Sequence, residues 1–225
     1  MSAHQDKKAG QTGTHPSTND ETIVTHAGRS SGHFGAVNTP VYHASTILFP
    51  TLAAYEQKAT APVRYGRRGT PTTMALEDAI STLEGAAGTV LTPSGMSAVT
   101  TTLIAHAGPG VEFLISDAVY PPVRAFCRRL NEQFGVETVF YDPCIGPDIA
   151  ALVTDRTRLI WMESPGSHTF EIQDIAAITQ VARAHGVTTV IDNSWSGGHF
   201  LKPFRLGVDI VVHAATKYIG GHADA

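Results

Sequence analysis

The chain is poor in cysteine, in net charge and in long apolar runs. Cys127 and Cys144 are the only cysteines among 225 residues, too few for a disulfide framework and consistent with a reducing compartment. Sixteen Lys and Arg stand against twenty Asp and Glu, a formal net charge of −4, so the basic footprint of a nucleic-acid binder is missing. No apolar stretch approaches the roughly 18 residues that a bilayer span requires. Met1 to Asp20 is polar, which speaks against a signal peptide or membrane anchor. The expectation is a cytoplasmic protein with neither membrane nor nucleic acid as partner. Eleven histidines invite a metal, but no H-x-x-x-H or C-x-x-C pair occurs, and His199, His213 and His222 lack ligand spacing. No metal site is expected. The G-x-S-x-G elbow of serine hydrolases is also missing.

What is there supports a sizeable core: 42% of the residues are hydrophobic, enough for one or two domains. Residues 1–20, rich in Gly, Thr, His and Lys, read as a disordered lead. Residues 21–62 carry Gly, Pro and Thr breaks around Val37–Tyr42 and read as an extended N-terminal arm. Residues 63–225 form the main domain, and from residue 70 the pattern is regular. Thr72 or Thr73 can cap a helix with Leu76, Ala79, Ile80 and Leu83 on one face, which Gly85 stops. A short strand follows at Gly88–Thr92, and Pro93-Ser94-Gly95 opens a second helix. Strands at Val111–Ser116, Val136–Tyr141, Arg158–Glu163, Val187–Asp192 and Val208–His213 come next. Between them lie helices at about Pro121–Phe134, Pro147–Val153 and Asp174–His185. Short apolar strands alternating with helices predict an α/β fold around a mostly parallel sheet.

Ligands bind such a sheet at the carboxyl ends of its strands. Asp192, Glu163, Lys217 and the Pro93-Ser94-Gly95 turn all fall at or just after such ends. A lysine amine such as that of Lys217 can form a Schiff base with a carbonyl cofactor, and a carboxylate such as Asp192 can hold a pyridinium nitrogen protonated. That pairing points to pyridoxal phosphate (PLP). The helix start at Gly95-Met96 offers N–H groups to a phosphate. Tyr65-Gly66-Arg67-Arg68-Gly69 offers guanidinium forks, and Tyr120 an aromatic face for a flat ring. Singly, each has an ordinary explanation: a tight turn, a solvated basic loop, a core tyrosine, a turn-capping Asp, a surface lysine. Their order and common placement make the joint case.

These residues resemble the PLP-dependent enzymes of cysteine and methionine metabolism. The matching stretches are Tyr65–Thr70, Pro93–Met96, Glu163–Ser167, Ile191–Trp195 and Ala215–His222. The resemblance implies the large domain of an aspartate aminotransferase-like, type I fold, cut off before the smaller C-terminal domain that closes the cleft and grips the substrate carboxylate. It implies Lys217 as the residue that holds the cofactor and moves protons. Asp192 would face the ring nitrogen, Tyr120 would stack on the ring and assist at the substrate, and Gly95, Met96 and Thr216 would take the phosphate. Tyr65 and Arg67 would reach the site of a neighbouring subunit in a dimer of dimers. Ala214 departs from the family, where many members carry a phosphate-binding serine. A base at Lys217 would need its amine neutralised by burial or nearby positive charge. The double arginine and the Glu-Ser-Pro-Gly-Ser run look most like the members that cleave cystathionine, a sulfur amino acid, by α,β-elimination. The alternatives are a γ-acting relative and a non-catalytic PLP-binding form.

Overall fold

A computed structural model describes residues 19–30 and 32–223. Of the 1–20 lead, only Asn19 and Asp20 fall within the described residues; Asn19 caps the short helix α1 (Asp20–His26) with its side chain. The arm expected over 21–62 holds most of α1, then α2 (Leu52–Glu56) and a 3-10 turn at Lys58–Thr60, with irregular backbone between them. α1 packs on α3 (Pro71–Glu84), and Asp20 pairs with Lys202 at 2.8 Å.

The cap of α3 is Thr70, two or three residues earlier than the periodicity suggested. Pro71 is preset for the first helical position, and Thr70 and Thr73 bond each other's backbone in a capping box. Gly85 ends the helix in the left-handed region, with φ 73. No strand forms at Gly88–Thr92. A strand needs a neighbour to take its N–H and C=O groups, and none of the five strands lies alongside this one, whose Val90 is 85% exposed.

α4 (Gly95–His106) leads to β1 (Glu112–Ser116), α5 (Pro121–Phe134) and β2 (Glu137–Tyr141). A 3-10 stretch at Gly146–Leu152 stands where a short helix was expected. After it come β3 (Thr157–Glu163), α6 (Ile175–His185), β4 (Thr188–Asp192) and β5 (Ile210–Val212). The five strands form one parallel sheet in the order β2-β1-β3-β4-β5. Its pleat divides the core in two. Phe113, Ile115, Leu159, Trp161 and Val190 face α4 and α5, whereas Leu114, Ile160, Met162 and Ile191 face α6 and the 3-10 stretch. Both faces are buried, so the strands read as continuous apolar runs without visible alternation.

The sequence reverses direction in space after β1: β2 lies on one side of it and β3 on the other. The strand ends flanking that reversal are where an open parallel sheet leaves a crevice.

Candidate active site

Each strand end presents a side chain by a local device. Glu163 and Asp192 are the last residues of β3 and β4 and face each other in register. Asp192 takes the Ser194 N–H at 3.0 Å, an Asx turn that ends the strand. Tyr120 precedes Pro121-Pro122, which holds it extended at φ −48 and ψ 125. Beyond β5 the backbone coils through turns, with Lys217 N–H on Ala214 O at 3.0 Å and Gly221 N–H on Lys217 O at 2.8 Å. The Ser194 hydroxyl fixes the start of that segment by accepting the Ala214 N–H at 2.7 Å.

These ends enclose a cleft of about 660 Å³, the size of a small-molecule site. Six residues given a role from sequence converge on it: Lys217, Asp192, Tyr120, Gly95, Met96 and Thr216. Tyr65 and Arg67 do not. Tyr65 caps the 3-10 turn Gly66–Arg68 and Arg67 lies within it, both exposed and outside the lining of their own chain's cleft. The turn is pinned where it is, since Gly66 donates to Ser45 O at 2.8 Å and a Cβ there would fall 1.8 Å from Ala44 O.

α4 starts on the cleft wall. The Ser94 hydroxyl takes the Ser97 N–H at 3.1 Å, leaving the N–H groups of Gly95 and Met96 without an intrahelical partner. The approach is close because Gly95 packs directly on Ala214, at the position where the serine was missed: a Cβ on Gly95 would sit 2.7 Å from the Ala214 Cβ.

The electrostatics are dominated by two neighbouring carboxyls that, among the described residues, form no salt bridge. Burial raises the Asp192 carboxyl, and the Ser194 hydrogen bonds and His213 pull it back down. Glu163 is pushed up to about 8, first by burial and then by the charge of Asp192. Lys217 is exposed at the cleft, so the burial that a neutral amine calls for is not supplied by the described residues.

Several residues at the site carried no assigned role from sequence. Glu163 was visible as a strand-end carboxylate but was given no part. Trp195, Tyr218 and Phe170 form an aromatic rim, with ring centroids 5.5 Å apart for Phe170–Trp195 and 5.9 Å for Trp195–Tyr218. Gln173 lies buried beneath, bonding Ser116 and the Glu163 carbonyl from one amide and Tyr141 from the other end. Asn193 is fully buried and donates to Glu84 at 3.0 Å; the same Glu84 oxygen meets His213. No periodicity or motif announces such tertiary partners.

The residues present fit PLP. Among the described residues Asp192 has no ion-pair partner, which a cationic ring nitrogen would supply. An amine stands in the same cleft, and free helix N–H groups offer a place for a phosphate. A parallel α/β sheet with a lysine, a carboxylate and a helix start gathered at its strand ends defines the large domain of a PLP-dependent enzyme.

Over residues 21–225 the chain matches the family described as Cys/Met metabolism PLP-dependent enzyme, and it belongs to that family. It is 47% identical over 204 residues to a putative cystathionine beta-lyase of Rhizobium johnstonii, covering 90% of this chain and 51% of that protein. It is 36% identical over 204 residues to an L-methionine gamma-lyase of Pseudomonas putida, covering 89% and 51%. The crystal structure of metB from Corynebacterium glutamicum superimposes with a TM-score of 0.85 at 29% identity, covering 92% of this chain and 53% of that one. The chain spans about half the length of these relatives.

Proposed function

We propose that the cleft holds PLP with Lys217 as the covalent anchor, and that the protein cleaves the carbon–sulfur bond of cystathionine by α,β-elimination. The observation that carries this reading is the meeting of Lys217 and Asp192, 25 residues apart in sequence, on one cleft at the strand ends. The bound cofactor supplies an electron sink for the carbanion left when an α-proton is removed.

The chain's own residues then have separate tasks. The Asp192 carboxylate holds the ring nitrogen cationic. The Gly95 and Met96 N–H groups, at the positive end of α4, take the phosphate together with the Thr216 hydroxyl. Tyr120 offers its ring to one face of the cofactor. Lys217 Nζ, when free of the cofactor, would accept the α-proton and could deliver it to the β-sulfur, which would leave as a thiol. Tyr65 and Arg67 serve the cleft of a neighbouring copy.

The β-assignment rests on the double arginine of the 65–69 loop, on Glu163–Ser167, and on likeness to proteins named cystathionine beta-lyase. Likeness to an L-methionine gamma-lyase supports the γ-acting reading. The test adds PLP to the purified chain, records yellow colour, and assays the keto acid released from cystathionine. Colour with pyruvate is expected. A release of 2-oxobutyrate would replace β- by γ-elimination, colour without keto acid would make this form a PLP binder only, and no colour would sink the cofactor assignment.

A further inference from the structure

Glu163 and Asp192 end adjacent parallel strands in register. Their Cα atoms therefore stand about 4.8 Å apart, and both line the cleft. A buried carboxylate is usually paired with a cation. Among the described residues neither of these two has one. Two like charges so placed do not both ionise readily; one site keeps a proton.

The two are not equivalent. Glu163 is buried, at 4% exposure. Its Oε2 accepts the Tyr120 N–H at 2.8 Å. Its carbonyl accepts Gln173 Nε2 at 2.8 Å, and that amide also reaches Ser116 Oγ at 3.0 Å, so the residue is held rigidly from below. Asp192 has the Ser194 N–H on its carboxylate and His213 close enough to favour its charge.

We infer that Glu163 is a positioning residue that stays protonated beside an ionised Asp192, pinning the Tyr120 backbone to the sheet edge and leaving one negative charge in the cleft. Burial raises both carboxyls; Glu163, at about 8, is raised further by the charge of Asp192, whereas the Ser194 hydrogen bonds and His213 favour the charge on Asp192. The other titratable groups around the pair are the Tyr120 phenol, Lys217 and His222 in the cleft lining, His213 beyond β5, and Glu171, which borders Gly166 in the loop after β3. The inference uses the proposed PLP site only to say what the single charge is for.

The test is therefore run first on the full chain stripped of cofactor. The Glu163 carboxyl is raised in the folded chain from an ordinary 4.5 to about 8. Between those values the folded state binds a proton that the unfolded state has lost, so stability falls as pH rises and levels off above the upper value. Glu163→Gln keeps a carbonyl acceptor for Tyr120 and removes the titration. Its urea midpoint should gain on that of the wild-type chain steadily across the window. Parallel curves would overturn the inference.

Should the variant not fold, wild-type chain labelled with ¹³C at the glutamate carboxyls gives the same answer. One resonance should titrate near the upper value, and none doing so would overturn it. With PLP added, Glu163→Ala, which strands the Tyr120 N–H, should lose colour several-fold in affinity while Glu163→Gln restores it. Equal loss in both would overturn the positioning role. A wild-type chain with no colour but the expected pH curve would sink the PLP reading and leave Glu163 protonated.

Discussion

Asp192 answers two opposed demands. It is placed deep enough for burial to raise its carboxyl, yet the Ser194 hydrogen bonds and His213 favour its charge. A carboxylate so poised gains most by meeting a cation, which is the role proposed for it. Asp192→Asn keeps the shape and the Ser194 contact through its amide oxygen but cannot bear the charge. A hydrogen bond to a charged group is worth about 1.5–3 kcal/mol, so PLP affinity should fall roughly 10- to 100-fold, read by titrating the colour. An unchanged affinity would remove Asp192 from the ring nitrogen. Legibility at this scale was uneven. Asp192 and Lys217 were visible because their chemistry is distinctive and they close or follow apolar runs. Glu163 stood in plain view at a strand end, but its meaning lies in a neighbour 29 residues away that only strand register supplies.

At the scale of elements, the site depends on the junction of α4 with the segment after β5. Gly95 lets the helix start come against Ala214, with no room for one more carbon. Gly95→Ala must push the two apart. Overpacking of this kind costs about 1–3 kcal/mol, and the same displacement moves the N–H groups meant for the phosphate. Both a lower urea midpoint and a weaker PLP affinity are expected; a variant that loses neither would show that α4 does not set the phosphate position. The helices and strands themselves were largely legible, because caps, glycine stops and apolar runs are local signals. The strand expected at Gly88–Thr92 failed for a non-local reason: its residues favour extended backbone, but a ladder needs a partner strand.

At the scale of the whole molecule, Tyr65 and Arg67 are the candidates that stand outside the cleft of their own chain. Gly66 is locked against Ala44 and Ser45, which keeps both side chains outside their own cleft. If they complete a neighbour's cleft, Arg67→Ala and Lys217→Ala chains should each colour poorly with PLP alone. Mixed and allowed to exchange, they should regain part of the wild-type colour, because some clefts then combine an intact lysine with an intact arginine. A mixture no better than its parts would confine each site to a single chain.

The sequence by itself determined the class of fold, through local periodicity and turn residues, and pointed to the cofactor through side-chain chemistry; the roles of most groups on the cleft came from the resemblance to the family. The tertiary structure alone decided which carboxylates stand side by side, which glycine must stay a glycine, and which candidates face away. Those facts depend on strand register, on distances between segments far apart in the chain, and on burial, which exist only once the chain has folded.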